Sequence, residues 1–253
     1  VALLLPAAGQ PIMICPAFEL GSLQAELQIA ADIRLWQEDE SPTDLVAASL
    51  PPGVTLALDP LLAYGTARRL GESVRIVDGA PVIDGLRMRK SATELALMQE
   101  AKDITLEVHR RAARILAPGI RASAVKSFID DAHRALGGVG STFCAVQFGH
   151  ATAFPHGLPT DQQLAEGDLV LIDTGTTVDG YHSDITRTYA FGTVADEVRS
   201  LWALEKEAQA AAFDAVRPGN PCESVDAAAR RVLEAAGLGP DYRLPGLPHR
   251  TGH

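Results

Sequence analysis

Short apolar runs alternate with helical patterns along the first third of the chain. Strand-like apolar stretches predict β-strands at residues 2–5, 11–15, 33–36, 54–58 and 74–77. Amphipathic spacing predicts helices at residues 20–29, 43–50 and 60–70. The Pro-Ala-Ala-Gly between the first two strands indicates a hairpin. This alternation defines an α/β unit, and the unit contains no glycine-rich phosphate loop and no nucleophile elbow.

A basic segment at residues 84–90 separates this unit from a pattern of longer helices. Ser91 with Glu94 three residues later forms a capping box, in which each side chain accepts a hydrogen bond from an otherwise unpaired backbone N–H group. A helix is therefore predicted to begin directly after Ser91. We predict two domains, residues 1–86 and 87–253.

The helix pair that opens the second domain recurs later in the chain. Pro218-Gly219 lies 100 residues after Pro118-Gly119, and Gly237 lies 100 residues after Gly137. Each copy has the pattern of a long helix, Pro-Gly, an amphipathic helix and a glycine suited to a left-handed helix end. The pattern predicts an internal duplication, and the junction of two such halves is a natural place for a ligand. Coincidence is the alternative, because Pro-Gly pairs and helix-terminal glycines are common.

Two apolar, β-branched runs between the helix pairs predict a β-hairpin over residues 167–188. If Val178 and Asp179 form the turn, the register of the hairpin follows. Asp173 then lies directly opposite Asp184, with the two Cβ atoms roughly 4.5–5.5 Å apart. Two carboxylates held that close repel each other, and a bound cation makes the pair favourable. The alternative is that Asp173 caps a strand end and Asp184 is solvated.

The histidines differ in what their positions indicate. His156 follows Phe-Pro in a small-residue loop just before the hairpin, and both a functional and a solvated role stay open. His249 and His253 have the spacing of a helical metal-binding pair, but Pro248 and Gly252 argue against a regular helix there. Three other histidines are expected at the surface: His109, His133 and His182.

Composition and charge narrow the classes of function. The 253 residues are 47% hydrophobic and 21% charged, which is typical of a soluble globular protein with a substantial core. A net charge of −10 argues against nucleic acid as a partner, and no segment is suited to a membrane. Three widely spaced cysteines without a Cys-x-x-Cys pair indicate reduced thiols and a cytoplasmic protein.

Carboxylate and imidazole donors suit manganese, zinc, cobalt or iron. Bridging carboxylates suggest two metals. Two metals roughly 3.5–4 Å apart clamp the attacking and leaving oxygens of the reaction. A metal also lowers the pKa of a bound water from near 15.7 towards about 7, which makes the water a nucleophile. The residues therefore predict metal-assisted hydrolysis, with Asp173 and Asp184 as ligands and His253 as a candidate third ligand. They do not indicate a substrate.

Four motifs together resemble those of a known family: Leu-Ile-Asp173-Thr-Gly, Gly-Tyr-His-Ser-Asp184-Ile-Thr-Arg-Thr, Phe-Pro-His156-Gly and Arg-Thr-Gly-His253. They are similar to the motifs of the pita-bread metallopeptidases, and most of all to the proline-specific branch, which comprises Xaa-Pro dipeptidase (prolidase) and aminopeptidase P. The resemblance implies an α/β N-terminal creatinase-like domain over residues 1–86. It implies an α+β pita-bread catalytic domain with an internal duplication over residues 87–253.

The resemblance also implies a role for each residue of the site. Asp173 binds one metal, Asp184 bridges both, and His253 ligates the other. His156 contacts the scissile amide and stabilises the tetrahedral intermediate, and His249 lines the substrate pocket. Two further glutamate ligands of the family would lie beyond His253, so the catalytic domain is expected to be truncated at its C-terminus.

The implied activity is hydrolysis of the Xaa-Pro bond in dipeptides or short proline-containing peptides. Two divalent ions would serve it, with manganese expected before cobalt or zinc, in a cytoplasmic homodimer held by the N-terminal domain. One alternative is a non-catalytic pita-bread module that binds peptides or proteins. Another is a related amidohydrolase such as creatinase, which works without metal. Because Asp173, Asp184 and His253 are all present, an enzyme is favoured over a binding module.

Overall fold

The computed structural model describes residues 1–252, and contacts divide the chain into two compact units, Val1–Ser91 and Ala92–His253. The sequence places the division after residue 86, five residues earlier than the contacts do. His253, the predicted third metal ligand, lies outside the described residues. Among the described residues, no helix has both the length and the apolarity needed to cross a bilayer.

The first unit pairs short strands with short helices. Its strands are β1 (Ala2–Leu4), β2 (Ile12–Pro16), β3 (Asp32–Trp36), β4 (Thr55–Leu58) and β5 (Arg75–Asp78). Its helices are α1 (Leu20–Glu26), α2 (Pro42–Ala48), α3 (Tyr64–Gly71) and α4 (Ala80–Arg87). Strand β2 pairs antiparallel with β1, as the predicted hairpin requires, and parallel with β3, while β4 pairs parallel with β5. Buried side chains between these elements form a small core: Leu4, Ile14, Val46 and Leu70.

Three helices of this unit differ from the sequence prediction. Helix α1 ends at Glu26 rather than at residue 29, because the chain must turn back to pair Asp32 N–H with the Pro11 carbonyl. Helix α3 begins at Tyr64 rather than at residue 60, because the Asp59 carboxylate accepts a hydrogen bond from the Leu61 N–H and holds a turn there. Helix α4 is not predicted from the sequence, and its second half overlaps the basic segment at residues 84–90.

The second unit places long helices around an antiparallel sheet. Its helices are α5 (Ala92–Ile115), α6 (Ala122–Ala135), α7 (Asp196–Ala215) and α8 (Cys222–Ala235). Its strands are β6 (Phe143–Phe148), β7 (Leu169–Gly175), β8 (Thr177–Val178), β9 (Tyr181–His182) and β10 (Ile185–Ala190). Strand β7 lies between β10 and β6, and the short pair β8–β9 forms the hairpin tip. Helix α5 begins directly after Ser91, as the capping box predicts.

The core of this unit lies between helices α5 and α6 and one face of the sheet. Fully buried apolar side chains from all three elements meet there: Val108, Val125, Ile129, Val170 and Ile172. On α5, Ile104, Val108 and Ala112 are buried, whereas Leu95 near the start of the helix is exposed. The opposite face of the sheet carries the polar residues of the candidate site.

The second helix of each pair repeats with the predicted period. Helices α6 and α8 both span 14 residues, and their bounds differ by 100 residues at each end. Each is followed by a glycine with positive φ, 100° at Gly137 and 83° at Gly237. Each end is closed by a backbone hydrogen bond from the next N–H, to the carbonyl of His133 in one copy and of Leu233 in the other. These paired terminations are the left-handed helix ends that the sequence predicts, and they support the internal duplication.

The hairpin register differs from the sequence prediction by two residues. Asp179 and Gly180 both have positive φ, 45° and 84°, and form the two-residue turn, with Val178 paired to Tyr181. Asp173 is therefore opposite Thr186, and the prediction that it lies directly opposite Asp184 is wrong. Because side chains alternate along a strand, a shift of two residues keeps both carboxylates on one face of the sheet.

Candidate metal centre

Gly175 of the Asp-Thr-Gly motif brings the two sides of the hairpin unusually close together. A Cβ atom built at this position would lie 1.9 Å from the Ser183 carbonyl oxygen and 2.8 Å from the Phe143 ring. Only glycine fits this contact without a shift of the backbone. The close approach joins Asp173, two residues before Gly175, to Asp184, the residue after Ser183.

Asp173 is half-buried on β7, and Asp184 is exposed in the short gap between β9 and β10. The Thr186 hydroxyl donates a hydrogen bond of 2.7 Å to Asp173 Oδ1, which fixes the orientation of that carboxylate. Thr186 is a contributor that the sequence reasoning did not single out, although it stands two residues after Asp184 and so shares its strand face.

An open cleft of about 740 Å³ collects the predicted residues that the structure describes. Asp173 and Asp184 line it from the sheet, His156 lines it from the loop after β6, and His249 lines it from the segment after α8. Cations also reach it, namely Lys126 of α6 and Arg250. Segments far apart in sequence thus converge on one surface in the second unit. Among the other histidines, His182 is exposed, as predicted.

The loop that carries His156 rests on a buried glutamine. Gln147 of β6 is 2% exposed, and its Nε2 donates to the Pro155 carbonyl at 3.4 Å. Gly157, with φ of 73°, passes so close that a Cβ atom there would lie 3.0 Å from Gln147 Nε2. The Oε1 atom of Gln147 is buried and accepts no hydrogen bond from the described residues. A single polar residue inside an apolar strand was the available signal for this support.

A buried chain of hydrogen bonds runs behind the hairpin. Ser141 Oγ contacts His133 Nδ1 at 3.0 Å, and His133 Nε2 contacts Thr105 Oγ1 at 3.1 Å. Thr105 Oγ1 contacts Ser183 Oγ at 2.8 Å, and Ser183 Oγ accepts the Thr176 N–H at 3.0 Å. The chain therefore ties helices α5 and α6 to the residue that precedes Asp184.

The prediction that His109 and His133 lie at the surface is wrong. His133 is fully buried and His109 is 3% exposed. His109 contacts the Tyr189 hydroxyl and the Ile185 carbonyl, both at 2.9 Å. Burial lowers the pKa of His133 to about 4, helped by the nearby His109. Burial also lowers the pKa of His109, against the opposing effect of its bond to the Ile185 carbonyl.

The donor atoms present are chemically suited to a divalent cation. Asp173 and Asp184 supply carboxylate oxygens on one sheet face, and His156 and His249 supply imidazoles around the same cleft. Within residues 1–252, no group of three or more His, Cys, Asp or Glu side chains is close enough to hold a metal ion. Of the three predicted metal ligands, Asp173 and Asp184 are among the described residues and line the cleft, and His253 lies outside them.

The chain thus consists of an α/β unit followed by a helix-flanked sheet with two carboxylates in an open cleft. Residues 1–89 match the Creatinase/Prolidase N-terminal domain, and residues 96–253 match the metallopeptidase family M24. The chain belongs to metallopeptidase family M24. The resemblance inferred from the four motifs and the predicted two-part fold class are thereby confirmed.

Relatives with solved structures or curated names support the same family. The chain is 38% identical to a protein named probable dipeptidase PepE from Mycobacterium tuberculosis, over 100% of this chain and 68% of that protein. The crystal structure of dipeptidase PepE from Mycobacterium ulcerans superposes with a TM-score of 0.83 at 36% identity, covering 93% of this chain and 65% of that one. A prolidase from Thermococcus sibiricus gives a TM-score of 0.82 at 28% identity, over 94% and 66%. The chain thus spans about two thirds of the length of these relatives.

Proposed function

We propose that this protein hydrolyses the Xaa-Pro bond of dipeptides or short proline-containing peptides in a metal-dependent reaction. The observation that carries the proposal is the convergence of Asp173, Asp184, His156 and His249 on one cleft of a family M24 chain. Relatives named dipeptidase and Xaa-Pro dipeptidase support the substrate class. The cleft is large enough for a dipeptide and open enough to admit it.

Asp173, Asp184 and His253 are the proposed ligands of two divalent ions, with manganese proposed before cobalt or zinc. When bound, the two metal ions would supply Lewis acidity and would make a water molecule nucleophilic near neutral pH. The Thr186 hydroxyl orients the Asp173 carboxylate for this task. Gly175 sets the close spacing of the two strands that carry the carboxylates.

The two cleft histidines are proposed to act on the peptide itself. His156 is proposed to donate a hydrogen bond to the scissile amide, where negative charge develops during attack. Its loop is held by the Gln147 amide from below, so the imidazole is presented from a supported backbone. His249 is proposed to line the pocket that receives the substrate. A positioned donor of this kind stabilises the transition state more than the ground state.

The cellular setting is part of the proposal. Cys15, Cys144 and Cys222 are all unpaired, which supports a reducing compartment such as the cytoplasm. Burial raises the pKa of the Cys144 thiol, so it is mostly protonated at neutral pH.

The test uses the full gene product, purified, stripped of metal and then reloaded with manganese. We expect turnover of Xaa-Pro dipeptides and not of matched Xaa-Ala dipeptides. Binding of these peptides without turnover in the manganese-loaded protein would favour a non-catalytic module instead. Turnover that persists after complete metal removal would favour a metal-independent amidohydrolase.

Asp184→Asn is expected to remove most bound metal and nearly all activity, because the amide cannot supply the negative charge that two cations require. Metal content by mass spectrometry and peptide turnover check this outcome. Asp179→Asn, at the exposed hairpin turn, is the matched control and should leave both unchanged. Normal metal stoichiometry in Asp184→Asn would contradict the assignment.

A further inference from the structure

Arg230 is a buried charge on helix α8 that bonds to three backbone carbonyls in the segment after that helix. Arg230 as a whole is 8% exposed. Its Nη1 donates to the carbonyls of Asp241 at 2.5 Å and Leu247 at 2.7 Å, and its Nη2 donates to the carbonyl of His249 at 2.8 Å. Burying a charge is costly unless it is paired and hydrogen-bonded, so this arrangement has to be specific.

Asp226, one helical turn before Arg230, supplies the opposite charge. Its Oδ2 accepts from Arg230 Nε at 2.7 Å and its Oδ1 accepts from Arg230 Nη2 at 3.3 Å, a two-oxygen fork. Asp226 Oδ1 also accepts the Thr251 N–H at 2.7 Å. The Tyr242 ring lies over the guanidinium at 3.7 Å. The ion pair thus contacts the following segment at both of its ends, from residue 241 to residue 251.

The segment that receives these contacts has little regular structure of its own. Residues 239–252 form neither helix nor strand, so their backbone groups are not paired in a ladder. Carbonyl groups outside a ladder take their hydrogen bonds from elsewhere, and Arg230 donates to three of them. Asp226 and Arg230 do not line the cleft, whereas His249 and Arg250 on the segment do.

We propose that Arg230, anchored by Asp226, is the positioning residue that fixes the backbone of residues 247–251 and thereby presents His249 to the cleft. The inference rests on the proposed function, because it concerns the same site. Its effect is on geometry: the carbonyl of His249 is bonded to Arg230 and the N–H of Thr251 is bonded to Asp226, so both sides of Arg250 are held.

The set of hydrogen bonds at this position requires arginine, and another cationic side chain cannot make all of them. A guanidinium is a planar fork with five N–H donors, and it can satisfy a carboxylate and several carbonyls at once. A lysine ammonium is a point charge with three donors on a different stem, so it can keep the attraction to Asp226 but not the whole set of bonds. Arg230→Lys therefore separates the charge from the geometry.

The experiment compares Arg230→Lys with Arg231→Lys in the full gene product loaded with manganese. Arg231 is the next residue on α8 and is exposed, which makes it the matched control. Hydrogen exchange measured by mass spectrometry reports on residues 241–252, and steady-state kinetics on an Xaa-Pro dipeptide report KM and kcat. For Arg230→Lys we expect exchange in this segment at least tenfold faster, unchanged exchange in α5 and β7, and a KM increase larger than the fall in kcat. Arg231→Lys should match the unsubstituted protein in every readout.

Asp226→Asn is the second variant, and it keeps the shape of the side chain while removing its charge. It should reproduce the faster exchange of residues 241–252. Unchanged exchange and unchanged KM in both variants would overturn the proposal. So would equal loss of protection throughout residues 92–252, because the pair would then stabilise the whole unit rather than position one segment. Exchange is measurable in a protein that cleaves no Xaa-Pro peptide, so a failure of the proposed function is distinguishable from a failure of this inference.

Discussion

The Asp173 carboxylate is oriented by a single hydroxyl, that of Thr186, and this contact shows how individual side chains prepare the cleft. The hydroxyl donates to Oδ1 at 2.7 Å, so the carboxylate plane is set before any ligand arrives. Pre-set donors and acceptors cost no reorganisation at the moment of reaction. The same logic applies to His156, whose loop rests on Gln147.

His156→Ala is expected to keep its metal and to lower kcat by roughly 10²–10³, the usual cost of removing one positioned donor to a developing oxyanion. The measurement is kcat with metal content determined on the same sample. His150→Ala, in the same loop and exposed, is the control and should change kcat little. Lost metal in His156→Ala would make the residue a ligand, and an unchanged kcat would remove it from the reaction.

At this scale the sequence predicts residues with a motif around them and misses those whose partners are distant. Asp173, Asp184 and His156 each stand in one of the four motifs, and all three line the cleft. His133 was placed at the surface because an amphipathic pattern treats histidine as polar. Its hydrogen-bond partner Thr105 lies 28 residues away in sequence, so no local pattern indicates that a buried hydroxyl is available to His133.

The hairpin is the element on which the site depends, and its register illustrates a limit of sequence reasoning. The pattern predicts both strands and the face they share. It does not fix which two residues form the turn. Asp179 and Gly180 form it rather than Val178 and Asp179, because both Asp179 and Gly180 adopt positive φ. The face was still correct, since the actual register differs by an even number of residues.

Gly175→Ala is expected to destabilise the second unit by about 3 kcal/mol or more, because the new methyl group would meet a backbone oxygen that cannot move freely. The corresponding fall in Tm is roughly 6–12 °C for a unit of this size. Gly180→Ala is the control: it has positive φ but nothing within 4 Å, so only backbone strain of about 1 kcal/mol is expected. Calorimetry on both variants checks the difference, and equal losses would refute a steric role for Gly175.

Helices α5 and α6 carry buried histidines, and these should make stability depend on pH. The pKa of His133 is about 4 in the folded chain against 6.5 when unfolded, so below pH 6.5 the unfolded chain binds more protons. The free energy of unfolding should therefore fall by about 2–3 kcal/mol as pH drops from 6.5 to 4. His109 contributes in the same direction.

The measurement for this pH dependence is denaturant unfolding across that range. His133→Gln should reduce the slope, and replacing both histidines by Gln should reduce it further. His182→Gln, on an exposed histidine, should leave the slope as it is. A slope that is unchanged in the His133 and double variants would show that neither buried histidine governs the acid response.

At the scale of the whole molecule, the proposed site residues are confined to one of the two units. The cleft and the predicted residues that line it belong to the second unit. Large apolar side chains are exposed in both units, including Phe18 at 70%, Leu61 at 85% and Leu86 at 74% in the first and Phe213 at 74% in the second. The first unit has a complete α/β pattern and none of the proposed site residues, so we expect it to serve assembly rather than chemistry.

We therefore expect a homodimer held by the first unit. Sedimentation equilibrium of the full gene product at micromolar concentration should give twice the monomer mass. Leu61→Glu together with Leu86→Glu should weaken the dimer, whereas Leu201→Glu in the second unit, also on an exposed apolar residue, should not. A monomer at that concentration would contradict the expectation.

The duplicated helices have diverged by exchanging the sign of a charge. Asp130 of α6 accepts the backbone N–H of Ser141 at 2.7 Å, and Arg230, at the equivalent position of α8, donates to the backbone carbonyl of Asp241. Ser141 and Asp241 are themselves 100 residues apart. A carboxylate in one half and a guanidinium in the other thus anchor the same point of the following segment, one through its donor and one through its acceptor. A sequence alignment of the two halves counts Asp130 and Arg230 as a mismatch. A comparison of the backbone groups to which they bond, at Ser141 and Asp241, shows that the two residues are equivalent.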